Sequence, residues 1–287
     1  MGDLARACAK RLTKGKGFYI ILPNEKERAR TLMGNLTHEQ KLLYAQRSEA
    51  EITPATEKAL SYPVRKSNEM IQKSRYSLSL REQRLLLYAI SMIKEDDDGK
   101  QRYKISIKDA ARICGQTDKI GKLLIDSVFD GFATLRDKGF AIYTERGTKI
   151  QCAFIEHPEQ DKDGNIEFNF DRYIVPYLFN VKKKFTQYDL GMVVKMRSTY
   201  GIRLYELLKS YQYLGSKRIL LPELRERLGA EEKSYDKYSL FKKYVLEPAL
   251  NDIENTDLRV DYVEMREGRK VVGINFIISR GLGYLGE

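Results

Sequence analysis

Residues 184–280 carry a pattern of apolar and polar positions that predicts an ordered series of elements. Six apolar residues recur there at three- and four-residue intervals, the spacing of one helix face: Met196, Tyr200, Leu204, Leu207, Leu208 and Tyr211. Arg218–Leu221 then predicts a short buried strand, and Pro222 suits the first turn of a helix that runs to Leu228. Gly229 ends that helix as a C-cap.

A second long helix is predicted over Tyr235–Asn255. Its buried side recurs every four residues: Phe241, Val245, Ala249 and Ile253. Ser239 and Lys243 lie about 200° from Phe241 around the helix and therefore point outward, with Lys242 on the flank. Pro248 should kink this helix or end its regular part.

The segment closes with two alternating strands, Leu258–Val263 and Lys270–Ile278. They flank the charged, glycine-containing turn Arg266–Arg269. A long helix, a strand, a short helix, a second long helix and a hairpin are the order of a winged helix-turn-helix, so this turn is the candidate wing.

An earlier segment, residues 62–180, predicts the same order of elements. Ser79 to Glu82 reads as a capping box before an amphipathic helix. The elements predicted after it are a strand, two helices, a hairpin around Arg146-Gly147 and a strand that could join this hairpin as its third: Tyr103–Ile107, Lys108–Cys114 closed by Gly115, Asp118–Lys138, Phe140–Tyr143 with Lys149–Glu156, and Ile166–Phe170.

A gap-free alignment links the two segments. Ile105–Gly115 lies over Ile219–Gly229 and matches a strand, a helix start and a terminal glycine. The predicted fold class is therefore α+β, with two tandem winged helix-turn-helix domains at residues 62–180 and 181–287.

Residues 1–61 predict an N-terminal extension, accessory or partly disordered. Gly17–Leu22 could form a strand, and Thr37 to Gln40 resembles a capping box before a polar helix.

Composition agrees with a nucleic-acid partner. The net charge is +11, and residues 181–287 hold 20 basic and 15 acidic side chains, so any basic surface there must be local. Three cysteines without metal or redox spacing fit a reducing cytoplasm. No apolar run approaches the length of a membrane span, so we expect no membrane association.

Several blocks resemble the iteron-binding replication initiator proteins of bacterial plasmids: Ser77–Leu86, Phe185–Leu190, Ser198–Tyr211, Tyr235–Ala249 and Gly268–Lys270. The resemblance covers about residues 62–280 in the family's order. It implies two winged-helix domains, the C-terminal one making the main origin contacts and the N-terminal one contributing to dimerisation and auxiliary DNA contact. Family members bind repeated origin sequences as monomers, help to open the duplex and load host replication proteins. They often repress their own promoter as dimers.

The candidate DNA-binding residues come from the helix and the wing. A helix in the major groove can direct lysines at guanine edges and phosphates, which points to Lys242 and Lys243, with Ser239 beside them. The resemblance adds Lys237 at the helix entrance. Wing residues suited to phosphate or minor-groove contact are Arg266, Arg269 and Lys270.

Two further arginines and one departure from the family complete this set. We expect Arg197 to contact the DNA backbone and Arg203 to pair within the protein. Family members commonly carry arginine where this chain has Lys242 and Lys243. Because lysine lacks the bidentate fork, a phosphate role is better supported there than base reading.

An enzymatic reading has little support. A rolling-circle relaxase needs a His-x-His metal pair, yet the only histidines are His38 and His157. We expect no catalytic residues, no metal and no cofactor. The favoured hypothesis is a plasmid replication initiator whose partners are double-stranded DNA, a second copy of the chain, and the host replication initiator and replicative helicase. The alternative is a winged-helix transcription repressor without initiator activity.

Overall fold

The computed structural model describes residues 54–115, 122–143 and 148–281. The strand and capping box expected at Gly17–Leu22 and Thr37–Gln40 lie outside these residues. The described chain begins with helix α1, Pro54–Leu60, in which Ala59 is buried. Folded structure therefore starts inside the segment that was expected to be an extension.

The first winged helix opens with a capped helix, as predicted. Its elements, with a strand and a short helix before them, are in chain order: β1 Pro63–Ser67, α2 Asn68–Lys73, α3 Leu80–Ser91, β2 Tyr103–Ser106, α4 Ile107–Ile113, α5 Lys122–Asp137, β3 Phe140–Tyr143, β4 Lys149–Cys152, β5 Ile155–Gln160, β6 Asn165–Phe170 and α6 Val175–Leu178. The Ser79 hydroxyl accepts from the Glu82 amide at 3.3 Å, and the Glu82 carboxylate accepts from the Ser79 amide at 2.8 Å. This reciprocal pair satisfies two free donors at the start of α3.

The predicted hairpin of the first domain is correct only in part. Strands β3 and β4 pair, but the second predicted strand, Lys149–Glu156, ends at Cys152. The chain then enters another sheet as β5, which pairs with β6, and β6 pairs in turn with β2. Phe154 explains the break, because its ring is fully buried and stacks on Phe140 at 4.5 Å.

The wing of the first domain therefore lies later in the chain than the predicted hairpin. The three-stranded sheet has the order β2-β6-β5, so its wing is the β5–β6 hairpin, which turns through Asp161–Gly164. The β3–β4 hairpin is an addition between the second helix and that wing.

The second winged helix repeats the same sheet order. Its elements, again with a strand and a short helix before them, are β7 Phe185–Asp189, α7 Gly191–Val194, α8 Thr199–Lys209, β8 Ser216–Leu220, α9 Leu221–Leu228, α10 Tyr238–Phe241, a π-helical segment Lys242–Leu246, α11 Glu247–Ile253, β9 Leu258–Glu267 and β10 Lys270–Arg280. Short 3-10 turns cover Gln212–Leu214 and Lys233–Asp236. The sheet order β8-β10-β9 corresponds to β2-β6-β5, which confirms the repeat that the sequence predicts.

The aligned glycines behave alike. Gly115 follows α4 with φ +79°, and Gly229 follows α9 with φ +69°. A side chain is strained in this left-handed region, so glycine suits both helix ends.

A two-stranded sheet joins the start of the first winged helix to the strand that precedes the second. Strand β1 pairs antiparallel with β7, placing Pro63 opposite Asp189 and Ser67 opposite Phe185. Beneath it, the Lys66 ammonium forms an ion pair with Glu206 of α8, and both side chains are 1% exposed. The Tyr188 hydroxyl donates to the same carboxylate. The segment before α8 is thus tied to the beginning of the first winged helix.

Candidate nucleic-acid interface

The predicted recognition helix forms as three consecutive pieces, α10, the π segment and α11. Its four predicted inward residues are all buried: Phe241, Val245, Ala249 and Ile253. A strict four-residue repeat drifts by about 40° per step on an ordinary α-helix. The π segment has more residues per turn and reduces this drift, which keeps the apolar stripe on the core.

Pro248 accounts for the position of the π segment. Proline has no amide hydrogen, and its ring crowds the carbonyl four residues earlier, that of Tyr244. The Glu247 amide instead donates to the Lys242 carbonyl, five residues back. The regular α pattern therefore ends at Phe241 and resumes at Glu247, as the prediction for Pro248 required.

The polar side of this helix carries the candidate residues at its N-terminal half. Lys237 is exposed, and its carbonyl accepts from the amides of Leu240 and Phe241 at the helix start. Ser239 and Lys243 are also exposed. The Lys243 ammonium lies 5.0 Å from the centre of the Tyr244 ring and has no ion-pair partner among the described residues.

The wing is a tight turn between two long strands. Glu267 pairs with Lys270, which leaves Gly268 and Arg269 as the two central residues. Gly268 has φ +59°, the conformation that a type II′ turn needs at its first central position. Arg269 and Lys270 are exposed, and neither has an ion-pair partner in the described part of the chain. Both cations are therefore available to a polyanion.

Glu264 connects the helix to the wing and is not among the residues predicted from the sequence. It lies on β9, two residues from Tyr262 and two from Arg266, so all three side chains share one face of the strand. Its carboxylate accepts from the Tyr238 hydroxyl at 2.8 Å and from the Lys242 ammonium at 3.2 Å. Its second oxygen accepts from the Arg266 guanidinium. Alternation along β9 was the available signal, but contact with the helix depends on how the sheet packs.

Electrostatics keep this network charged. The hydrogen bond from Tyr238, followed by those from Lys242 and Arg266, lowers the pKa of Glu264 below its ordinary value. The hydrogen bond to Glu264 raises the pKa of Lys242. Burial, followed by the bond to Glu264, raises the pKa of Tyr238. Lys242 also lies 5.7 Å from the centre of the Tyr262 ring. At neutral pH the carboxylate therefore holds two cations at the junction of helix and wing.

Arg197 lies apart from the other candidates. Its amide donates to Asp252 at 3.0 Å, and Asp252 is nine residues beyond Lys243, roughly 13 Å along the helix. The exposed Arg197 side chain lines an open groove of about 1190 Å³ together with Lys195 and Arg259. A contact from Arg197 would therefore reach DNA at the far end of the recognition helix.

Arg203 pairs within the protein, as predicted. It is 5% exposed, and its guanidinium donates to the carbonyls of Ser74 and Arg227 at 3.2 and 2.8 Å. The same group stacks 4.0 Å above the Tyr76 ring. Arg203 is thus part of the packing between α8, α9 and the first winged helix.

The corresponding surface of the first winged helix is acidic. The β5–β6 hairpin carries five acidic side chains and one basic, Lys162. The exposed charged residues of α5 from Ile125 onward are Asp126, Asp130, Arg136 and Asp137. Asp161 in the wing turn accepts from Lys104 at 2.7 Å, and this bond is the largest cause of its lowered pKa. This surface therefore lacks the excess of cations that the second domain presents.

Family models match the chain in the order that the fold shows. The model described as Initiator Replication protein, WH1, matches residues 63–209, which is more than half of the 287 residues. The chain belongs to the initiator replication protein family. The family's second model, Initiator Rep protein, WH2, matches residues 220–278. The tandem winged-helix domains are therefore those of this family.

Individual relatives agree with this assignment. An uncharacterized 27.6 kDa protein of Escherichia coli is 27% identical over 224 residues, 69% of this chain and 88% of that protein. The PI protein of Escherichia coli is 30% identical over 132 residues, 40% of this chain and 43% of its own length. The crystal structure of the Pi initiator protein in complex with iteron DNA matches with a TM-score of 0.63 at 21% identity, covering 78% of this chain and 99% of that one. This last likeness supports the fold.

One further observation concerns membrane-spanning helices. In residues 54–115, 122–143 and 148–281, no helix is long and apolar enough to cross a bilayer. The roles of the eight candidate residues in DNA binding stay predictions.

Proposed function

We propose that this protein is a cytoplasmic, sequence-specific DNA-binding initiator of plasmid replication. It binds directly repeated origin sites, promotes duplex opening and recruits the host replication initiator and the replicative helicase. The observation that carries the proposal is the joint between helix and wing: Glu264 contacts both Lys242 and Arg266, so cations of the two elements lie side by side.

The proposed docking places α10 and the π segment in the major groove. Ser239, Lys242 and Lys243 then face base edges and nearby phosphates, and Lys237 lies where the helix enters the groove. Arg269 and Lys270 on the wing contact phosphates or the minor groove beside that site. Arg197 contacts the backbone at the other end of the helix.

Opening of the duplex would come from binding energy. Bending a site of 20–30 base pairs costs on the order of 1–6 kcal/mol, which several cooperating protomers can supply where AT-rich steps and negative supercoiling lower the demand. The proposal includes no nucleotide hydrolysis. It includes no relaxase-type DNA cleavage either, since the sequence lacks the paired histidines of a relaxase.

A supercoiled plasmid carrying the origin tests this function. We expect the purified protein to make thymines in the AT-rich segment reactive to permanganate without ATP, with or without a host architectural protein. A matched plasmid carries the same sites as an inverted repeat without the AT-rich segment, and it should bind protein but show no reactivity. Binding to both plasmids without reactivity in either would favour the transcription repressor instead. Magnesium-dependent nicking that is lost on mutating one tyrosine would contradict the non-enzymatic part.

Dimerisation is the second part of the proposal. In the free protein, two copies of the chain would form a dimer through the first winged helix. This dimer would repress the protein's own promoter, whereas the form bound to origin repeats would be monomeric. Light scattering at matched concentrations should show a mass above that of one chain without DNA and one chain per repeat with DNA. The same mass in both states would contradict it.

A further inference from the structure

Glu264 is an acidic residue inside the surface that we expect to face a polyanion. A carboxylate there opposes the approach of phosphates, so its presence calls for a physical reason. The side chain is 17% exposed, and its carboxylate contacts three donors of that same surface among the described residues: Tyr238, Lys242 and Arg266. It is thus placed to act on the two cations rather than on solvent.

We propose that Glu264 is a positioning residue that sets sequence discrimination, by fixing the directions of Lys242 and Arg266 and compensating part of their charge. This inference rests on the proposed function, because discrimination has meaning only if the protein prefers origin repeats. It adds a residue that makes no contact with DNA itself.

Glu264 holds the Lys242 side chain in one arrangement before DNA binds. Lysine and arginine side chains lose much rotamer freedom when they are immobilised, and that loss weakens binding. Here the Lys242 ammonium is already fixed between Glu264 at 3.2 Å and the Tyr262 ring at 5.7 Å. Its donors therefore point in set directions before DNA arrives, which favours sequences whose acceptors lie there and disfavours the rest.

Glu264 also reduces the positive charge of this surface. Non-specific affinity for DNA grows with the number of cations that can neutralise phosphates. Lys243, Arg269 and Lys270 have no ion-pair partner among the described residues, whereas Lys242 and Arg266 share the charge of one carboxylate. Glu264 thus compensates about one positive charge that would otherwise attract any DNA phosphate. The hydrogen-bond donors of Lys242 and Arg266 stay in place.

A matched pair of substitutions isolates this role. Glu264→Gln and Glu267→Gln each remove one negative charge from the same strand, but Glu267 is exposed and has no ion-pair partner in the described chain. Glu264→Asp keeps the negative charge on a side chain that is one methylene group shorter. The measurement is fluorescence anisotropy of the full chain with a duplex carrying one origin repeat and a scrambled duplex, over a range of salt concentrations. Thermal midpoints for each variant report folding.

For Glu264→Gln we expect scrambled-duplex affinity to rise about threefold and the salt slope to steepen by about one, as one more cation becomes free. The ratio of repeat to scrambled affinity should fall about tenfold, the range of one well-placed polar contact. Glu267→Gln should change both affinities equally and keep the ratio. Glu264→Asp should keep most of the wild-type ratio of repeat to scrambled affinity.

Each other outcome has a definite meaning. Equal ratios for the two glutamine variants would overturn the inference and make Glu264 an ordinary surface charge. Equal loss of both affinities together with a lowered thermal midpoint would also overturn it, and make Glu264 only a fastening between helix and wing. A wild-type protein that binds both duplexes alike would instead contradict the proposed function, before any variant is considered.

Discussion

The two winged helices share a topology and differ in charge. Both place a strand, a short helix, a left-handed glycine and a second helix before a hairpin, with sheet orders β2-β6-β5 and β8-β10-β9. In the first domain the hairpin holds five acidic residues and one basic, and in the second five basic and three acidic. The same scaffold therefore presents opposite fields.

This difference supports the proposed division of roles between the two domains. The two domains share the same sheet order, so the fold alone would give both domains the same partner. The exposed residues of the wing separate them: in the described part of the chain the β9–β10 hairpin has a surplus of cations, which suits a phosphate backbone, and the β5–β6 hairpin has a surplus of carboxylates.

The largest effect we predict tests whether the two domains are independent. Glu206→Ala leaves Lys66 buried and unpaired and should lower the free energy of unfolding by about 3–5 kcal/mol. Lys66 lies on β1, at the start of the first winged helix, and Glu206 lies on α8 of the second. Because the pair joins the two domains, we expect them to unfold together, so urea denaturation should still show one transition. The matched control is Arg65→Ala, which removes the exposed pair with Glu95 and should cost about 0–1 kcal/mol. Similar losses in the two variants would contradict this prediction.

The next effect compares the two wings directly. Arg269→Glu places a negative charge at the tip of the second wing and should weaken origin binding roughly 100-fold, because like charges opposed across an interface cost several kcal/mol. Lys162→Glu makes the same change in the turn of the first wing and should alter affinity by less than about twofold. Electrophoretic mobility shift with a single repeat measures both. A comparable loss in both would mean that the first wing also faces DNA.

A smaller effect compares the two second helices. Lys243→Ala should weaken binding about five- to tenfold and reduce the salt slope by about one, the signature of one lost phosphate contact. Arg136→Ala on α5 removes an exposed cation that already pairs with Asp137 at 2.7 Å, and it should change neither quantity. Titrations at several salt concentrations would show an unchanged slope for Lys243→Ala if its assignment is wrong.

The smallest effect tests the shared topology of the two domains rather than their difference in charge. Gly115→Ala and Gly229→Ala each force a side chain into the left-handed region and should each cost about 1 kcal/mol of stability. The two thermal midpoints should fall by similar amounts. A neutral substitution at one glycine would show that the helix ends are not equivalent.

Local signals in the sequence were enough to predict most of the fold. The Ser79–Glu82 capping box, the two terminal glycines and the apolar stripe of the recognition helix each depend on neighbouring residues. Phe154 shows the limit, because a break between Cys152 and Ile155 depends on packing against a ring elsewhere in the chain. The β1–β7 pairing is likewise set by residues more than a hundred positions apart.

The candidate site also has one part that the sequence predicts and one part that only the packed structure shows. Outward positions such as Ser239 and Lys243 follow from helix geometry, and their exposure agrees with the prediction. The role of Glu264 could not follow, because its three donors come from the recognition helix and from its own strand, and only the packed structure brings them to one carboxylate.

The pairing of β1 with β7 also has a consequence for synthesis on the ribosome. Ser67 pairs opposite Phe185, so β1 has no partner until 118 further residues have been translated. At 5–20 residues per second this takes roughly 6–24 s, during which an exposed strand edge is open to wrong pairing with a neighbouring nascent chain. The first winged helix therefore completes its structure only when the ribosome is already building the second.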